Sequence, residues 1–106
     1  METMDILEEK IKTAESFIKI NDIGKGLDII YDYMDERLIS GEFDLINTYL
    51  SSLDIKNATL HLLLAILTIT LPAKHELPYR KEFYKLCEQE IIRRNEMKKN
   101  LLIGLE

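Results

Sequence analysis

Cysteine occurs once in the 106 residues, at Cys87, so the chain has no intramolecular disulfide and no cysteine-rich zinc site. Histidine occurs only at His61 and His75. Catalysis that needs a convergent nucleophile, base and acid therefore has few residues to draw on. Tryptophan is absent, and the two prolines and four glycines leave little to interrupt regular structure. Alternation of apolar and polar residues never lasts more than a few positions, which argues against strands. Glu2 and Asp5 stand where a secretory signal would be basic and then apolar, so a cytoplasmic protein is expected.

Basic charge is scarce over most of the chain. Residues 1–71 carry 13 Asp/Glu against 6 Lys/Arg, a net of −7, and residues 72–106 carry 8 Lys/Arg against 6 Asp/Glu, a net of +2. An acidic body repels nucleic acid and anionic lipid, so neither is expected as a partner. The C-terminal basic residues are interleaved with Glu82, Glu88, Glu90 and Glu96, which argues against a nucleic-acid groove there. Hydrophobic residues make up 46% and charged residues 31%, a balance that suits one globular domain over residues 1–106.

One uncharged run is present, from Asn57 to Ala73, 17 residues long. It falls short of the roughly 20 apolar residues a spanning helix needs, and it contains Asn57, Thr59, His61, Thr68 and Thr70. Helical spacing puts Leu60, Leu63, Leu64, Leu67 and Leu71 on one side, with Ala58, Leu62, Ile66 and Ile69 on another. Two apolar faces predict a central helix sandwiched between neighbours, with Asn57 as its N-cap and Pro72 as its stop.

Four further helices are expected around it. Thr3 opens the first, which runs to about Ile20 with Ile6, Leu7, Ile11, Ala14, Phe17 and Ile18 on one face. Its Glu8–Lys12 and Glu15–Lys19 spacings suit ion pairs. Gly24 and Gly26 read as a helix–helix turn, and the second helix then reaches Ser40, with Gly41 at the C′ position. A short helix covers residues 43–53. Pro78 suits the first turn of a last helix, which is expected to end near Lys98, with an apolar tail over 100–106. The fold class is all-α, a compact bundle of about five helices with a buried central helix.

The stretch LDIIYDYMDERLISGEFDLINTYLSSLD, residues 27–54, resembles the helical hairpins of tetratricopeptide-like repeats. The likeness rests on Gly41-Glu42-Phe43 at the turn and on small or apolar residues at helical spacing to either side. It has no second copy at a fixed period, and it implies peptide or protein binding. The whole chain also looks like small helical proteins of bacteria and their phages, a likeness that implies no particular function.

Few residues invite chemistry. Cys87 falls on an apolar arc that suits an inert buried thiol, and His61 falls on a polar strip of the central helix. His75 sits in a loop between two prolines. Gly24-Lys25-Gly26 lacks the spacing and the Ser/Thr of a phosphate-binding loop, and Asn57-Ala58-Thr59 suits a helix cap better than a glycosylation site. No catalytic, cofactor-binding or metal-binding residue is nominated, and no cofactor is implied.

Charge placement is more informative. Asp28, Asp32, Asp35 and Glu36 form an acidic strip on the second helix, which is either a solvated face or a docking surface. Arg80 and Lys81 fall in the first turn of the last helix, where the helix dipole disfavours cations, so either Glu76 or Glu82 neutralises them or a partner does. Glu90 and Arg94 enter an otherwise apolar arc, either to pair across an internal seam or to meet another chain. With Tyr79 and Tyr84 as aromatic anchors, these ten residues are the partner-binding candidates. The expected function is a non-enzymatic protein–protein interaction module, for example an acidic inhibitor of the immunity or phage anti-defence kind. The alternative is a structural subunit that acts as a homodimer through its central helix or its tail.

Overall fold

The computed structural model describes residues 3–104, which form five α-helices and two single 3-10 turns, with no strand among them. The helices are α1 (Met4–Lys19), α2 (Ile23–Ile39), α3 (Phe43–Ser52), α4 (Leu60–Thr70) and α5 (Arg80–Gly104). The all-α bundle of about five helices expected from the periodicity is the architecture found. No helix among the described residues is long and apolar enough to cross a membrane.

Thr3 caps α1 as expected, its hydroxyl accepting from the Ile6 amide. The first two turns between helices then share one hydrogen-bond pattern. After α1, the amides of Asn21 and Asp22 donate to the carbonyls of Ile18 and Phe17. After α2, the amides of Gly41 and Glu42 donate to those of Leu38 and Arg37. Both are Schellman closures that require a left-handed residue, supplied by Asn21 at φ 70° and by Gly41 at φ 77°. Gly41 was legible as a C′ glycine. The first turn lies at Asn21 rather than at Gly24 and Gly26, both of which belong to α2.

Gly26 has a different use. A Cβ there would lie 2.6 Å from the Ala14 carbonyl oxygen and 2.6 Å from Ile18 Cγ1, so its missing side chain sets how closely α1 and α2 cross. Lys25, beside it, stands 4.4 Å from the centroid of the Phe17 ring. At the other end of α2, buried Arg37 reaches Glu42 at 2.9 Å and Glu36 at 2.9 Å, pinning the α2–α3 turn.

The core gathers Leu7, Ile11, Ile30, Met34, Ile46, Leu50, Leu62, Leu63, Ile66 and Phe83 from all five helices. α4 supplies its centre, but the helix starts later than expected. Asn57 ends a 3-10 turn over Ile55–Asn57 and donates to Asp54, and the N-cap is Thr59, whose hydroxyl accepts from the Leu62 amide. The sandwich expectation holds for one face only. Leu62, Leu63, Ala65, Ile66, Ile69 and Thr70 are buried, whereas Leu60, Leu64 and Leu71 are exposed and Leu67 is half-buried.

α5 extends beyond its expected end at Lys98 to Gly104, and residues 105–106 of the apolar tail lie outside the described residues. At about 1.5 Å per residue, its 25 residues span roughly 37 Å. Phe83, Cys87 and Glu90 are buried against the body, but every residue from Asn95 to Gly104 is exposed. This projection gives the molecule dimensions of 54 × 29 × 21 Å and a radius of gyration of 14.9 Å, above the roughly 13 Å of a compact domain this size.

Candidate functional site

Arg80 opens α5, yet its guanidinium serves α4. Nε donates to Thr70 Oγ1 at 3.0 Å and Nη2 donates to the Leu67 carbonyl at 2.8 Å. Local sequence explains the vacancy it fills. Pro72 has no amide hydrogen, and the Leu71 amide turns to the Thr68 carbonyl in a tightened last turn. The Leu67 carbonyl is thereby freed for Arg80. A cation that is unfavourable at the start of α5 thus sits favourably at the C-terminus of α4, without help from Glu76 or Glu82.

Glu90 and Arg94 also bond within the fold. Glu90, buried at 5% exposure, accepts two bonds from Arg93, at 2.8 and 2.7 Å, and one from Arg94 Nε at 2.6 Å. Arg94 Nη2 continues to the carbonyls of Ala58 at 2.6 Å, Ile55 at 3.2 Å and Lys56 at 3.3 Å. The pair therefore fastens α5 to the segment that leads into α4. The bonds from Arg93, joined by the one from Arg94, outweigh desolvation and pull the Glu90 carboxyl down to about 2.

Tyr79 is half-buried and packs against the core, and its amide donates to Asn47 Oδ1 at 2.8 Å. Cys87 is fully buried, and burial pushes its thiol up to about 11. His61 and His75 are both exposed, so Cys87 is not presented to solvent beside either. No group of three or more His, Cys, Asp or Glu side chains converges to hold a metal among the described residues.

The acidic strip on α2 is solvent-facing: Asp28, Asp32, Asp35 and Glu36 are all exposed. Glu36 is tied to Arg37, which distinguishes it from the three aspartates.

The remaining candidates, Lys81 and Tyr84, belong to a surface that includes residues not nominated from the sequence. Leu60, Leu64 and Leu71 are 42%, 46% and 53% exposed along the outer side of α4, and Tyr84 is 48% exposed on α5. Leu71 and Tyr84 line one open groove of about 800 Å³ together with Leu77, Pro78, Lys74, Lys81, Lys85 and Glu88. The signal for the leucine stripe is the spacing 60, 64, 67, 71, which reads equally well as a buried face. Only the placement of the neighbouring helices separates the two readings.

No protein-family model, curated protein or solved structure compared with the chain matches it.

Proposed function

We propose that the chain is a non-enzymatic protein-interaction module whose docking surface is the outer leucine stripe of α4 together with Tyr84 of α5. The observation that supports this reading is the exposure of Leu60, Leu64 and Leu71 at helical spacing on one side of α4 and of Tyr84 on α5, with Leu71 and Tyr84 lining one groove. Contiguous apolar patches of this kind mark protein–protein contact sites, and a tyrosine beside aliphatic residues is a common anchor. The test is affinity capture from the native host with wild-type, Leu71→Asp and Tyr84→Ala baits that melt alike. A protein retained by the wild type and lost by both variants supports the reading. Retention of every captured protein by both variants refutes it.

A second reading, a homo-oligomeric structural subunit, draws on a different observation. Met97, Leu101, Leu102 and Ile103 are all more than half exposed at the projecting end of α5. Light scattering across a concentration series decides it: self-association lost on Leu101→Lys favours the subunit, and a monomer at all concentrations excludes it.

A further inference from the structure

We infer that the chain self-associates through two different faces, the exposed side of α2 on one copy lying antiparallel along the exposed side of α5 on another. This inference deepens the homo-oligomer reading above and moves its contact from the arm to the body.

Both faces carry charge at helical spacing, and the spacings match in reverse. The exposed side of α2 presents Lys25, Asp28, Asp32 and Asp35, separated by 3, 4 and 3 residues. Read backwards, the exposed side of α5 presents Glu88, Lys85 and Lys81, separated by 3 and 4 residues. Lys74, on the loop before α5, lines the same groove as these three. In the antiparallel register Lys25 meets Glu88, Asp28 meets Lys85 and Asp32 meets Lys81, each a pair of opposite sign. Asp35 then comes to the start of α5, on the side where Lys74 stands. A parallel register with Asp28 on Lys81 and Asp32 on Lys85 would set Asp35 against Glu88, so charge fixes the direction.

These charges have no competing partner in the fold. Among the described residues, none of the three aspartates, the three lysines or Glu88 takes part in an ion pair. Asp28–Asp32 and Lys81–Lys85 are like-charge spacings that weaken each helix alone, and meeting relieves both. Tyr31 lies between the two aspartates of its pair and Tyr84 between the two lysines of its own, and both rings are exposed. At one end of the register exposed Ile92, a turn past Glu88, comes level with the turn that carries exposed Ile20. Within one copy α4 lies against both α2 and α5, and the two faces point to solvent, so the pairing needs a second molecule. Both halves of the match belong to this one sequence, which makes that molecule a second copy.

Light scattering of the full chain, over a concentration series at low and high salt, tests the contact. The mass of the wild type should rise with concentration, and its association should weaken about tenfold or more at high salt. Asp28→Lys with Asp32→Lys, and separately Lys81→Glu with Lys85→Glu, should each weaken self-association about tenfold or more, the scale of several surface charge pairs acting together. An equal mixture of the two double variants should restore it, because opposite charges face each other again. The substituted side chains are exposed, and melting checks that each variant folds. Where a reversal melts early, the neutral Asp28→Asn with Asp32→Asn, or Lys81→Gln with Lys85→Gln, replaces it and should weaken association in the same direction. Self-association that survives both reversals overturns this contact, and its loss on Leu101→Lys then keeps the homo-oligomer reading. Loss in both variants without recovery in the mixture overturns the pairing of these two faces. A wild type that stays monomeric at every concentration overturns the inference together with that reading.

Discussion

The Glu15 carboxylate on α1 accepts the backbone amide of Thr59 at 2.8 Å, linking residues 44 positions apart. Thr59 caps α4 with its own hydroxyl, so the arrangement is a capping box whose acidic member comes from a different helix. Lys19, the expected partner of Glu15, is not the one it takes. Glu15→Ala should destabilise the fold by about 1–2 kcal/mol, because a half-buried amide loses its acceptor. Glu15→Gln, which keeps a carbonyl oxygen in reach, should cost less. Denaturant titration of both variants provides the comparison.

Arg80 is expected to behave as an internal strut. Arg80→Met should lower stability by about 2–4 kcal/mol, since it removes two charge-assisted bonds and strands the Leu67 carbonyl. Thermal melting checks this. A melting temperature within error of the wild type would place Arg80 outside the scaffold.

Glu90 makes stability depend on pH. Its folded-state value, about 2, lies below the ordinary 4.5, so its contribution is fully present above roughly pH 4.5 and fades as pH falls towards 2. The gap in melting temperature between wild type and Glu90→Gln should be widest near neutrality and close across that window. A gap that stays constant down to pH 2 would contradict the assignment.

Two glycines on α2 should respond with opposite signs. Gly24 has nothing within 4 Å of an added Cβ, so Gly24→Ala should stabilise by about 0.5–1 kcal/mol. Gly26→Ala drives a methyl group against the Ala14 carbonyl and should destabilise by about 1–3 kcal/mol, exceeding the same helix gain. Chemical denaturation of the two single variants measures both.

α4 should divide between adjacent leucines. Leu63→Ala creates a cavity in the core and should cost about 2–5 kcal/mol. Leu64→Ala, on the exposed stripe, should stay within about 0.5–1 kcal/mol of the wild type. Equal costs would mean that both faces of α4 are covered in solution.

Helix number and most of the core were legible because the apolar period is local and repeated, as in Leu7, Ile11, Ala14 and Ile18. Caps were legible where one residue suffices, at Thr3 and Gly41. They were not where the chain supplies the partner from afar, as Glu15 does for Thr59, so Asn57 appeared the better cap. The anomalous charges of α5 were visible, but their purpose was not. Arg80 answers a carbonyl 13 residues earlier and Arg94 answers carbonyls 36 to 39 residues earlier, and no periodicity encodes either distance. For the same reason the exposed stripe was not legible: Leu60, Leu64 and Leu71 look identical in sequence to core leucines.

The projecting end of α5 places the burden of helix initiation entirely on the body. Starting a helix is the unfavourable step and lengthening one is nearly neutral, so the ten residues after Arg94, too few to form a stable helix alone, have only to propagate a helix already begun. Their helicity is then borrowed from the fastening of Arg94 to the Ala58 carbonyl, and it shortens from the free end as temperature rises. Heating should therefore bleed away ellipticity in a sloping baseline well before the cooperative melt of the core, and the length of the arm becomes a continuous variable in a protein whose body is all-or-none.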